Sequence, residues 1–372
     1  MLTNKALGII FANMHDDMVG EMTEIRSMAS LPFGGRYRLI DFYLSSLVNA
    51  GVTKVGVIAK HNYQSLLDHL GSGRSWDLAR KRSGLSIFPP NSLSQEGTYH
   101  GRVQALHNVI RYIKYSSEKY VVLMDCDNVC NIDFTDVLNR HAESGADVTI
   151  VSRGVISGED MERNSVLLHS DDTGRVREML FDRYEGGCTI SMDIFVISRD
   201  KLVELVETAI SRMQTMFERD VLLKGIDTLN IREYKFSGFV RRVYSTKSYY
   251  EANMALLEPK NMDALFTPER PVYTKVRDEA PVRYGIDAKV TNSLIADGCV
   301  ILGEVENCMI FRGVTVGKHT KVKNSIIMQD TIISERSELS FVITDKDVVI
   351  NPDRSLMGHE NYPLYIKKFS NI

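Results

Sequence analysis

The chain is short of several things that would assign it a class at once. It has five cysteines (Cys126, Cys130, Cys188, Cys299 and Cys308) in 372 residues. Cys126 and Cys130 lie four apart, but no second pair and no nearby histidines complete a zinc set. Buried free thiols in a reducing cytoplasm are the expectation, and with them a cytoplasmic location. No apolar run follows a basic N-terminal region, and none is long enough to span a bilayer, so no membrane partner is expected. Neither sign of charge dominates: the formal net charge is -3, which offers no basic field for nucleic acid. What remains is 44% hydrophobic and 25% charged residues, the balance of a soluble globular protein. The length predicts two domains.

The two halves have different periods. Up to about Tyr244, short Val- and Ile-rich runs ("ALGIIFA", "KVGVIA", "YVVLMD", "DVTIVS", "ISMDIFVI") alternate with helical patterns such as "YRLIDFYLSSLVNAG" and "VQALHNVIRYIKYSS". That alternation predicts an α/β domain over 1–245 with a mostly parallel sheet, its ligand site beyond the carboxyl ends of the strands. The loops after "IIFA" and "VVLMD" are therefore the candidate site. Residues 246–280 read as a linking helix followed by an extended, proline-containing linker. From 281 to 372 the aliphatic residues recur every six positions: Ile295 and Ile301; Ile310, Val316 and Val322; Ile327, Ile333 and Leu339. Small or β-branched residues sit between them, as at Cys299, Val305, Val314, Thr320, Thr331 and Ser337. This hexad predicts a β-helix whose aliphatic residues point inward and whose open end strands favour burial against another subunit.

The stretches "PFGGRYRLIDFYLSSLVNAGV", "HLGSGRSWDL", "YHG" and "YYEAN", with the hexapeptide tail, resemble the ADP-glucose pyrophosphorylase (glucose-1-phosphate adenylyltransferase) family over nearly the whole chain. The resemblance is nearest to the GlgD-type regulatory subunits. It implies a Rossmann-like nucleotidyltransferase domain, a C-terminal left-handed β-helix, a tetramer, magnesium and control by phosphorylated metabolites. The reaction implied is ATP plus glucose 1-phosphate to ADP-glucose plus diphosphate, for glycogen synthesis.

The catalytic groups that the resemblance implies are largely replaced. Adenylyl transfer needs amides and cations on the triphosphate, a metal held by carboxylates and a cation on the sugar phosphate. The family's Gly-Gly-x-Gly-x-Arg-Leu loop aligns with Asn13, Met14, His15, Asp16, Asp17, Met18 and Val19. The arginine is thus Met18, and the lysine of a later Lys-Pro is Met28. Asp127 falls on a metal-binding aspartate, but the second metal aspartate is Arg242, which would repel magnesium or pair with Asp127 in its place. The sugar-phosphate lysine is Asp182, unless a register slip lets Arg183 serve. Tyr99, Gly101, Gln104 and Ser191 stand at pocket positions, Gln104 itself a replacement, and Trp76 matches a family tryptophan. Arg36 falls on an activator-binding lysine, with Arg38 beside it, and two guanidiniums near a Gly-Gly turn suit a phosphate ester. Lys367 and Lys368 are possible additions to that effector site.

The residues therefore predict a non-catalytic or weakly catalytic regulatory subunit beside a catalytic partner, with no cofactor assigned to this chain and magnesium in the partner. The alternative is an active adenylyltransferase with a reorganised metal site built from Asp16, Asp17 and Asp127. An acyltransferase using His319 of the repeats is the weakest reading.

Overall fold

A computed structural model describes residues 5–81, 83–90, 99–155, 165–182 and 187–372. Arg183 lies outside them. Among the described residues, the N-terminal half contains thirteen strands. They are β1 (Ala6–Phe11), β2 (Pro32–Phe33), β3 (Tyr37–Arg38), β4 (Lys54–Ile58), β5 (Gly84–Phe88), β6 (Tyr120–Asp125), β7 (Asn128–Cys130), β8 (Val148–Gly154), β9 (Val166–Ser170), β10 (Val176–Phe181), β11 (Thr189–Ser198), β12 (Ile231–Phe236) and β13 (Val240–Arg242). Nine of these form one sheet in the order β10-β9-β11-β6-β1-β4-β5, with β8 on the other side of β11 and β12 beyond it. The pairs β1–β4, β1–β6 and β4–β5 are parallel. All six residues of β1 and all six of β6 are buried, which is why these strands read as unbroken apolar runs.

The helices that cover this sheet include α1 (Leu39–Asn49), α2 (Arg102–Asn108), α3 (Phe134–Ser144) and α4 (Arg199–Ser211). Side chains on its two faces form two separate clusters, one around Ile10, Leu44 and Val122, the other around Ile9, Leu106 and Phe195. The alternation of strand residues between faces produces this division.

The linking segment has helices α5 (Thr246–Met254) and α6 (Pro259–Leu265), followed by an extended run. That run is strapped to the first domain. Ser45 Oγ accepts from Tyr273 N–H at 2.8 Å, Thr274 Oγ1 donates to Asp41 Oδ2 at 2.6 Å, and Asn131 Nδ2 donates to Arg270 O at 2.8 Å. Trp76 Nε1 donates to Tyr273 O at 3.2 Å, so the tryptophan clasps this strap.

The C-terminal part is a parallel β-helix of fifteen short strands in three five-stranded sheets. The stacked partners Arg283, Val300, Thr315, Ile332 and Val349 trace one face. Of the hexad residues, Ile301, Ile310, Val316, Val322, Ile327, Ile333 and Leu339 are fully buried, and Ile295 in the first coil is half-buried. The intervening Cys299, Val305, Val314, Thr320, Thr331 and Ser337 are buried too. His319 is exposed at a corner with φ 60°, away from any other catalytic group singled out above. All five cysteines are buried, and among the described residues no helix is long and apolar enough to cross a membrane.

Candidate functional site

The first loop fills itself. Asp16, 5% exposed, turns inward from a single 3-10 turn. Its carboxylate accepts from Met28 N–H at 2.8 Å and from Asn13 Nδ2 at 2.5 Å, while its carbonyl accepts from Thr23 Oγ1. Asn13 Oδ1 in turn accepts from Lys60 N–H at 3.0 Å. Donors that an anionic ligand would use are thus taken by a carboxylate of the loop. Burial raises the Asp16 pKa against these bonds. Met28 is buried and Met18 half-buried, so neither position offers a cation. Asp17 is exposed.

The second loop is reached where β6, β7, β11 and β13 meet. β13 pairs antiparallel with β7, setting Arg242 opposite Asn128, and Asp127 O accepts from Val243 N–H at 2.7 Å. This register puts the Arg242 side chain on Asp127: Nε to Oδ2 is 2.7 Å, with both side chains buried. Arg242 Nη2 also lies 3.4 Å from Asp193 Oδ2. Asp193 sits in a β-bulge of β11, where pairing with β8 slips between Ser191 and Ile194, and has φ 54°. The bulge re-aims an acid out of an otherwise apolar strand and into the site. Ser191 Oγ accepts from Asp193 N–H at 3.1 Å, holding that bend.

A second guanidinium completes the network. Arg102, buried at the start of α2, donates to Asp125 Oδ2 at 2.6 Å and pairs with Glu218 on a π-helical turn, Phe217–Leu223. It also lies 5.4 Å from the Phe11 ring centroid and 5.2 Å from that of Phe195. His15 Nε2 is 2.8 Å from Asp125 Oδ2 and 3.8 Å from both Asp127 Oδ2 and Asp193 Oδ2. Burial opposes its charge, but Asp127 and Asp125 together raise its pKa above the ordinary histidine value. Asp193 is pushed up to about 6, mainly by burial and partly by Asp125 and Asp127, although Arg242 and Arg102 oppose the shift. Asp125 is lowered: burial opposes its charge, but Arg102 and His15 outweigh it.

These residues do not fit a magnesium ion. The Arg242 guanidinium bonds the Asp127 oxygen that would ligate it, and two fixed guanidiniums in the cluster oppose a third cation. Among the described residues, Asp16 and Asp17 do not join Asp127 in a metal-capable group. The metal-capable group among the described residues is His15, Asp127 and Asp193, with ligand atoms within 4.8 Å of one another. The two carboxylates expected beside Asp127 are thus replaced by an imidazole and a bulge carboxylate.

The other predicted residues scatter. Tyr99 is buried beside a cavity of about 310 Å³ lined by Ile58, Phe88, Pro89, Asn108 and Val109, and its hydroxyl has no partner among the described residues. Gly101, with φ 86°, caps α2 where a Cβ would stand 2.4 Å from Thr215 O. Gln104 Oε1 accepts from His100 N–H at 2.6 Å and so serves its own helix start. Asp182, with φ 53° at the end of β10, accepts from Ser165 N–H at 3.1 Å. Asp125, Arg102, Asp193 and Glu218 were not foreseen as a group. The acid inside "ISMDIF" was the available signal for Asp193, since an acid in a buried strand needs a partner.

A second set of charges lies between the first domain and the β-helix. Arg26 Nη2, buried, donates to Asp345 Oδ2 at 2.5 Å, and Tyr365 OH donates to the same oxygen at 2.6 Å. Arg26 Nη1 is buried without a partner among the described residues. Arg38 Nη1 donates to Ser65 O at 2.6 Å. Burial, with Arg38 and Arg26 nearby, pushes Lys346 down to about 7. Arg36 is exposed and has different neighbours: its guanidinium lies 6.0 Å from the Tyr37 ring and it bears on Arg312. Gly34 (φ 58°) and Gly35 (φ 80°) form the turn before it. Lys367 pairs with Glu24 at 3.1 Å and Lys368 with Asp347 at 3.5 Å.

Together these features define a nucleotidyltransferase-type domain carried on a hexapeptide β-helix. A family signature described as Nucleotidyl transferase matches residues 21–181, and one described as GlmU-like, C-terminal hexapeptide matches residues 280–362. The GlgD glycogen biosynthesis protein of Bacillus subtilis is 37% identical over 99% of this chain and 97% of its own length. That of Geobacillus stearothermophilus is 38% identical over 85% and 82%. The glucose-1-phosphate adenylyltransferase of Pseudothermotoga lettingae is 32% identical over 86% and 76%. The chain belongs to the glucose-1-phosphate adenylyltransferase family, on the side of its GlgD proteins.

Proposed function

We propose that this chain is a non-catalytic, or at most weakly catalytic, regulatory subunit that assembles with a catalytic glucose-1-phosphate adenylyltransferase chain in glycogen biosynthesis. The observation that carries the reading is the buried Arg242–Asp127 pair, which puts a fixed guanidinium on the retained metal-site carboxylate. The self-filled first loop and the acid at Asp182 support it from the triphosphate and sugar-phosphate sides. Losing charge stabilisation of this kind costs several kcal/mol at the transition state, or roughly a thousandfold or more in rate. The partner chain supplies magnesium and the chemistry, in a cytoplasmic hetero-oligomer that we take to be a tetramer.

The sensing role rests on the charges around Arg38, with Arg36 beside Arg312 a separate contact. Arg38, Arg26, Lys346 and Lys368 bring positive charge to the seam between the two folded parts, where a phosphorylated sugar would report to both. The alternative, an active enzyme with a reorganised metal site, draws on the His15, Asp127 and Asp193 group, but Arg242 stands against it.

The test mixes this chain with a catalytic homologue. The expected result is one stable complex whose response to sugar phosphates differs from that of the catalytic chain alone. Two proteins that elute separately, with an unchanged response, overturn the proposal.

A further inference from the structure

We propose that Lys346 is a covalent modification site: its side-chain amine takes up dissolved CO₂ as a carbamate, which lies against Arg26 and Arg38 at the seam between the first domain and the β-helix. The proposal does not rest on the regulatory reading, because its readout is the modification of this chain alone.

Three features carry it. First, the acids of the seam are already engaged. Asp345 Oδ2 accepts from Arg26 and Tyr365, and its Oδ1 accepts from the backbone N–H of Lys346 at 2.7 Å. Asp41 Oδ1 lies 2.6 Å from His69 Nε2, and its Oδ2 accepts from Arg38 N–H and Thr274 Oγ1. Asp347 pairs with Lys368. Second, the cations are short of acceptors. Arg26 Nη1 is buried without a partner, and the Arg38 guanidinium donates to the carbonyl and hydroxyl of Ser65, neither of them charged. Lys346 Nζ makes no hydrogen bond or ion pair among the described residues. A buried donor without an acceptor is costly, and one more anion at this place would remove the deficit. Third, the amine is a nucleophile near neutral pH. Burial, then Arg38, Arg26 and Lys368, push it down to about 7 against the pull of Asp345, and it bears in turn on His69. At pH 8 about nine-tenths of such an amine is neutral, against less than about one percent of an ordinary lysine. Lys346 is only half-buried, so a small uncharged reactant can reach it.

The step needs no other reagent. The Nζ lone pair attacks the carbon of CO₂, one C=O electron pair moves onto oxygen, and the nitrogen gives a proton to water. The product is Nζ–COO⁻, whose two oxygens suit the forked donors of arginine. The carbamate takes up the cations that the proposed function gives to a phosphorylated sugar, so CO₂ opposes that ligand. That consequence alone rests on the regulatory reading.

The experiment equilibrates the full chain with ¹³C-labelled CO₂ and bicarbonate and records carbon NMR at about pH 6 and about pH 8 at the same dissolved CO₂. A parallel sample is alkylated with a trialkyloxonium salt, which fixes a carbamate as its ester, and the modified peptide is located by mass spectrometry. The expected result is a carbamate resonance distinct from bicarbonate, stronger at pH 8, with the ester on Lys346. Lys346→Arg should abolish it, Lys368→Arg should keep it, and Arg38→Gln should weaken it. If Lys346→Arg does not fold, the trapped ester on the parent decides alone. A parent with no carbamate, a carbamate carried only by the N-terminal amine or another lysine, or a signal that survives Lys346→Arg unchanged overturns the proposal.

Discussion

Replacing Arg242 by leucine should be among the most damaging single changes in the first domain. Leucine fills much of the arginine's volume but leaves Asp127 and Asp193 buried without their main counter-charge. Breaking a buried ion pair from one side costs about 3–5 kcal/mol, because the surviving charge stays desolvated. At about 2–4 °C per kcal/mol for a domain of this size, the unfolding midpoint should fall by about 10 °C. The informative control is Asp127→Asn in the same chain. With Asp127 neutralised, leucine at 242 strands Asp193 but no longer Asp127, so the double variant should recover at least about 2 kcal/mol relative to the sum of the single changes. Denaturant titration of the parent, the two single variants and the double variant completes the cycle. A leucine variant as stable as the parent, or two effects that simply add, would refute the claim that Arg242 is the cationic centre of this cluster.

Other expectations follow from the same geometry. The folded-state pKa of Asp193 lies at about 6, above its ordinary value of 3.8, so its protonated form favours folding. That contribution is complete below pH 3.8 and disappears as pH rises to about 6. The stability difference between parent and Asp193→Asn should therefore shift by about 3 kcal/mol across that window, and no pH dependence in the difference would contradict the assignment. Lys346 is depressed to about 7 by burial beside Arg38 and Arg26, so sugar-phosphate binding at the seam should weaken as pH rises above 7, and Lys346→Met should flatten that trend. In the mixed complex, Arg36→Ala should weaken activation by sugar bisphosphates, and unchanged activation removes Arg36 from the effector site. In the β-helix, Ile327→Ala should cost about 2–5 kcal/mol by chemical denaturation, since its side chain is fully buried.

Much of the architecture was legible from periodicity. The hexad placed Ile301 to Leu339 inward because each residue repeats at one position of a three-sided coil, and apolar runs marked β1 and β6 because both sheet faces are covered. The Arg242–Asp127 pairing was also within reach, since a charge reversal beside a retained acid suggests an ion pair. The rest of the cluster was not. Asp193 enters through a bulge, and Arg102 reaches Asp125 and Glu218 through the packing of α2 on the sheet. Neither is a spacing in the sequence. The charged seam depends on the docking of the β-helix, which brings Asp345 and Lys346 to Arg26 across more than three hundred residues.

The central claim is that this chain's own site has lost its chemistry while keeping its frame. It is tested most directly by ADP-glucose formation from ATP and glucose 1-phosphate, followed through diphosphate release, with the purified chain alone and magnesium present. The prediction is a rate at least roughly a thousandfold below that of a catalytic homologue, at or near the protein-free blank. Clear magnesium-dependent synthesis by the chain alone, abolished by Asp127→Ala, would contradict it.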